Sequence, residues 1–191
     1  SINVIIPSGT ANNISSGGTI NSNDVTLQAG ASVILNSGAT WNIGGDLQGA
    51  TGSSISGTGT VVLNGDSAQQ IAGTVTLGDL VIDGDAEILE GATVNLQPAP
   101  SNPNPVLTLL PAAFLSNDGS LVLGSNTNGT ASIGPVPSNA SIGGFLTQQR
   151  LLPSSYGWYF LGAPVNSTVA LSQWNELNLR ISPKLNASVF E

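Results

Sequence analysis

Gly30-Ala31-Ser32-Val33-Ile34-Leu35 is followed eight residues on by Gly38-Ala39-Thr40-Trp41-Asn42-Ile43, and the wording returns at Gly91-Ala92-Thr93-Val94-Asn95-Leu96. Each copy is a glycine, a small residue and then side chains that alternate between apolar and polar. A period of two places the apolar set on one face of a strand. Val33, Trp41 and Val94 therefore read as equivalent inward positions, and Trp41 as a core side chain.

Outward from these phrases lie Thr60-Val61-Val62-Leu63, Thr74-Val75-Thr76-Leu77 and Asp79-Leu80-Val81-Ile82, each bounded by Gly, Asn or Asp. They read as half-buried strands of three to five residues. Short strands with glycine corners, repeated in nearly identical wording, predict a β-solenoid in which each coil stacks its apolar face on the next. Regular strand spacing also fits a Greek-key sandwich, which stays open as the alternative.

The stretch Gln97-Pro98-Ala99-Pro100-Ser101-Asn102-Pro103-Asn104-Pro105 holds four prolines in nine residues, a composition that interrupts a strand ladder and favours an extended connector. The expected division is a solenoid-like repeat domain over residues 1–97, a linker over 98–105 and a small β-sandwich over 106–191. Two sandwiches are the alternative arrangement. In the second part, strands are expected at Val106–Leu110, Ser120–Leu123, Phe145–Gln149 and Gly157–Leu161, with a short helix within Leu171–Leu179. Tyr156, Trp158, Tyr159, Phe160 and Trp174 read as its aromatic core. The chain stops at Val189-Phe190-Glu191 in what reads as mid-strand, so a longer parent protein is expected.

Composition agrees with an all-β chain. Of 191 residues, 40% are hydrophobic and only 7% charged, while 39 are Ser or Thr and 19 are Asn. Such side chains compete with helical hydrogen bonds and favour turns and strand edges. The net charge is −8, and the three cations, Arg150, Arg180 and Lys184, all lie in the last quarter. Nucleic acid and anionic membrane surfaces need clustered Lys and Arg, so neither is an expected partner. No apolar run approaches the roughly 18 residues of a membrane-spanning helix. Ser1 begins without the basic and apolar regions of a signal peptide, so if the chain is exported its leader is expected to be gone already.

The chain contains no His and no Cys. Ser-His and Cys-His nucleophile pairs are thereby excluded, as are His- or Cys-ligated zinc sites. Carboxylate chemistry alone is left. The acidic cluster Asp79, Asp83, Asp85, Glu87 and Glu90 has no aromatic sugar platform beside it in sequence, and no Lys or Arg precedes Arg150. No constellation of nucleophile, base and stabiliser can be assembled, so the chain is expected not to be an enzyme and to need no cofactor. Asp83, Asp85 and Glu87 around Asp83-Gly84-Asp85 are a candidate Ca²⁺ site, because hard cations take several oxygen ligands.

Ile2-Asn3-Val4-Ile5-Ile6 is a strand without Lys or Glu, the charges that natural sheet edges use against association. Ile2, Val4, Ile5 and Ile6 are therefore a candidate assembly strand, able to add to a neighbouring subunit. Candidate glycosylation sites are the Asn-x-Ser/Thr positions Asn13, Asn128, Asn139, Asn166 and Asn186. Trp158 and Trp174 are candidate aromatics for stacking on a sugar.

The stretches Ile6–Thr10 (IPSGT), Val25–Leu47 (VTLQAGASVILNSGATWNIGGDL), Ile55–Asp83 (ISGTGTVVLNGDSAQQIAGTVTLGDLVID) and Gly144–Val165 (GFLTQQRLLPSSYGWYFLGAPV) resemble secreted, modular cell-surface proteins of Bacteroidetes, many exported by the type IX system. The resemblance implies export to the cell surface or exterior, a solenoid-like stalk, an adjoining sandwich and an adhesive role. Asp66-Ser67-Ala68 likewise resembles their O-glycosylation motif. The expected function is a non-enzymatic extracellular structural protein, a stalk or fibre subunit whose partner is a second copy of itself. The alternative is a carbohydrate-binding adhesin module whose partners are extracellular glycans.

Overall fold

The computed structural model describes residues 2–14 and 17–151. Among them every regular element is a strand and there is no helix. The chain winds through three parallel ladders. Its first coil supplies one strand to each: β1 (Val4–Ile6), β2 (Ala11–Ile14) and β3 (Thr19–Ser22). The second coil repeats this with β4 (Val25–Leu27), β5 (Ser32–Leu35) and β6 (Thr40–Ile43). Val4 lies against Val25, Ala11 against Ser32 and Thr19 against Thr40, each partner 21 positions on.

β7 (Leu47–Leu63) and β8 (Gln69–Ile82) each pass through all three ladders as one bent strand. The fifth coil is β9 (Asp85–Ile88), β10 (Thr93–Leu96) and β11 (Val106–Leu109). In the sixth, β12 (Phe114–Leu123) covers two ladders. A short antiparallel hairpin of β13 (Ser125–Asn126) and β14 (Gly129–Thr130) follows, and β15 (Ser132–Ile133) reaches the third ladder. β16 (Ser141–Gln148) pairs on β12 as the start of a seventh. All pairings of the main sheet are parallel. β8, β9, β12 and β10 close a circuit of pairings, because β8 and β12 bend from one ladder into the next; the other strands are bonded outside it.

Stacking turns the alternation into ranks. Val25, Leu47, Ile71 and Ile88 fall in one column, Val33, Ile55, Leu77, Leu96 and Leu123 in a second, and Trp41, Val61, Leu80 and Leu107 in a third, all buried. Each such side chain contributes about 1.5–3 kcal/mol on leaving water. The intervening positions face out; one such column, Ser32, Ser54, Thr76 and Asn95, carries hydroxyls and an amide, while others include Ile34, Val62 and Val81.

The repeated phrase is a corner followed by its strand. The Ala31 N–H donates to the Gln28 carbonyl at 2.9 Å and the Ala92 N–H to Leu89 at 2.9 Å. The third residues, Gly30 (φ 68°) and Gly91 (φ 78°), are left-handed, which makes these type II turns and accounts for the glycine. The small residue after it, Ala31 or Ala92, is buried where the strand enters the core. At the matching corner Leu110–Ala113 the same 3.0 Å bond forms with Pro111 in second place, but Ala112 takes φ 68° without being glycine. Trp41, the bulkiest core side chain, donates its indole N–H to Ser22 Oγ at 3.0 Å.

Two expectations change here. Residues 98–105 do not separate two domains: β10 before them and β11 after them both pair with β8. The segment is a long corner of the fifth coil, inside a compact unit that runs over residues 1–155. Nor does a separate sandwich begin at residue 106, since strands from 106 to 148 add in parallel to the same sheet. Register is held by inward side chains at both ends of a corner, while lengthening the corner costs little entropy. Prolines there break no ladder. The strand expected at Gly157–Leu161, the helix within Leu171–Leu179 and the aromatics Tyr156, Trp158, Tyr159, Phe160 and Trp174 lie outside the described residues.

Candidate functional site

The strand order of the main sheet runs from β1 at one end to β16 at the other. Among the described residues nothing pairs on the outer side of β1, β2 or β3. The first coil therefore presents three strand edges and, between them, the open end of the core. Val4, Ile6, Ile14 and Ile20 occupy the inward positions of this coil but are only partly buried. With Asn12, Val33 and Trp41 they line an apolar mouth of about 300 Å³.

The backbone of β1 shows which groups are free to pair. The Val4 N–H donates inward to the Asp24 carbonyl at 2.8 Å, and the Ile6 carbonyl accepts from the Gln28 N–H at 3.0 Å. Alternation along a strand then directs the Ile5 N–H and carbonyl away from the stack. Ile2 is 76% exposed and Ile5 63%. Residues 1–23 contain no charged side chain; the first is Asp24. Of the candidate assembly strand, Val4 and Ile6 thus face the mouth, while Ile2 and Ile5 face solvent.

A column of side-chain acceptors ties the early coils together. Asn3 Oδ1 accepts from the Asp24 N–H at 3.3 Å, Asp24 Oδ1 from the Asp46 N–H at 3.1 Å and Asp46 Oδ1 from the Gln70 N–H at 2.8 Å. Each coil's carboxylate or amide holds the coil after it, and the column starts at the open end. Gln69 does similar work inside: it is buried, its Nε2 donates to the carbonyls of Ile43 and Gly45, and its Oε1 accepts from the Gly65 N–H at 2.7 Å. Asn117 interrupts the first apolar column one coil beyond Ile88, giving its Nδ2 to the Phe145 carbonyl and leaving its Oδ1 without a partner among the described residues. Sequence reading missed Gln69 and Asn117, because an amide in a polar-looking stretch carries no mark of burial.

The acidic candidates do not gather. Among the described residues no group of three His, Cys, Asp or Glu side chains converges. Asp85 and Glu87 lie on the outer side of β9, with buried Ala86 between them, which spreads them along the strand. Asp79 has a structural partner set instead: its Oδ1 accepts from Asn102 Nδ2 at 3.1 Å and from the Val106 N–H at 2.9 Å, closing the 98–105 corner.

Among the candidate glycosylation positions, Asn13, Ser67, Asn128 and Asn139 are exposed, and Asn166 and Asn186 lie outside the described residues. Trp158 and Trp174, the candidate sugar-stacking aromatics, also lie outside them. Trp41 is 2% exposed and packs as a core side chain. No family model, no curated protein and no solved structure matches this chain.

Proposed function

We propose that this chain is a non-enzymatic extracellular structural module, a stalk or fibre subunit that extends by stacking copies head to tail. The observation that carries this reading is the uncharged, unpaired edge of the first coil around an apolar mouth. Natural sheet edges and solenoid ends are shielded by charge, proline or a cap; β1 to β3 have no charged side chain at all. The partner that fits must bring parallel strands with alternating apolar side chains. A second copy offers β16 as a parallel strand, the other end of the same strand order among the described residues, with Ile142 and Leu146 in line with the buried Leu115 and Leu121 of β12.

Joining unlike ends is a heterologous contact, and one that does not close on itself makes a filament. The resemblance to secreted Bacteroidetes proteins supports export to a cell surface as part of this reading. The test is Ile5→Pro, which removes an N–H that points away from the stack and leaves the bonds of Val4 and Ile6 to the second coil in place. Sedimentation velocity should show concentration-dependent assembly of the unaltered chain and a monomer for the variant, at the same melting temperature. Assembly undiminished in Ile5→Pro would remove strand addition at β1 from the explanation.

A further inference from the structure

Insertions in a coiled repeat gather on one side of the stack, and that side is commonly the binding side. Here two insertions fall at the same corner, between the second and third ladders, in consecutive coils: residues 97–105 between β10 and β11, and residues 124–131 between β12 and β15. They are joined to each other. Asn126 Nδ2 donates to the Pro98 carbonyl at 2.8 Å. Gly129 sits so close to the Pro103 carbonyl that a Cβ there would collide with it.

The hairpin is also braced from within and from the chain beyond β16. Asn126 Oδ1 accepts from the Asn128 N–H at 2.8 Å, Ser125 Oγ and Thr130 Oγ1 share a 2.8 Å hydrogen bond, and the Leu151 N–H donates to Ser125 Oγ at 2.9 Å. Between the hairpin and Leu151 lies a recess of about 480 Å³, lined by residues 125–130 and Leu151.

We propose that this recess binds an uncharged glycan. Its lining holds no ionisable side chain, so it offers nothing to an ionic ligand that would repay desolvation. Thr127 Oγ1 and the Asn128 side-chain amide are exposed and make no hydrogen bond to other described residues, so they remain available to ligand hydroxyls. Both are hydrogen-bonding groups of the kind that pair with sugar hydroxyls, the amide as donor and acceptor at once. Leu151, 45% exposed, supplies an apolar surface for the C–H face of a sugar ring. The braces on Asn126, Ser125 and Thr130 hold the hairpin in place before a ligand arrives, which lowers the cost of binding. The site lies away from the first coil and does not depend on assembly there.

Saturation-transfer difference NMR on the full chain tests this, with maltotriose, xylotriose, mannotriose and chitotriose as neutral probes and trigalacturonate as the anionic one. At least one neutral trisaccharide should show transfer at millimolar concentration, trigalacturonate should show none, and the double variant Thr127→Ala/Asn128→Ala should cut the signal at least about fivefold at an unchanged melting temperature. Silence from all four neutral probes, transfer indifferent to the double variant, or a preference for trigalacturonate would each overturn the assignment.

Discussion

The first two coils and the fifth and sixth are built to different measures around the same interior. Between β1–β3 and β4–β6 all three ladders advance by 21 residues. Farther on, Asp85 pairs with Phe114, 29 positions away, and Val106 with Ser132, 26 positions away. The extra residues all go to corners, and the second and third apolar columns continue through them: Leu77 is followed by Leu96 and Leu123, and Leu80 by Leu107 just as Trp41 is by Val61. Inside such a stack, side-chain size and alternation are constrained; outside, the length of a corner is free. The even coils therefore end in a plain edge, and the uneven ones carry a lateral knob.

If the two regions share one interior, core truncation should be costly in both. Trp41→Ala should lower unfolding free energy by about 3–5 kcal/mol and Leu107→Ala, in the same column, by about 2–5 kcal/mol, read from urea denaturation. A cost below about 1 kcal/mol for Leu107→Ala would make the later coils a looser structure and break the comparison.

A smaller loss is expected at the joint between interior and knob. Asp79→Ala removes the acceptor for Asn102 and for the Val106 N–H and should cost about 1–2 kcal/mol, with faster proteolysis confined to residues 98–105. Equal proteolysis of the two proteins would mean that Asp79 does not hold the corner.

The smallest effect, and one of opposite sign, belongs to the corner where the repeated phrase departs from glycine. Ala112 has the left-handed φ that Gly30 and Gly91 supply at the equivalent turns. Relief of that conformation outweighs the added freedom of the unfolded chain. Ala112→Gly should raise stability by about 0.5–1 kcal/mol, measured by thermal unfolding; a loss would show that the Ala112 methyl contributes more to packing than its backbone strain costs.

The same contrast decides what could be read from sequence. Glycine, a small residue and alternation mark a type II corner, a buried alanine and an inward rank, so the strands before residue 97 and the core role of Trp41 were legible. Past Pro98 the apolar alternation of Val106 to Leu109 remained visible, but alternation is common to sandwiches and coils, and its partner Leu80 lies 27 positions back across four prolines. The proline-rich run was read as a linker because its composition is the same whether it joins two domains or two ladders. Ile2 to Ile6 could be read as an uncharged strand. The mouth could not, since its lining draws Ile6, Ile14 and Ile20 from three separate strands together with Trp41 of the next coil.

The head-to-tail reading rests on the open first coil, and the most direct measurement is negative-stain electron microscopy of the purified intact chain beside the Ile5→Pro variant. Unbranched filaments in the first sample and single particles in the second are the predicted result. Monodisperse single particles in both, at concentrations where the protein is folded and soluble, would contradict it.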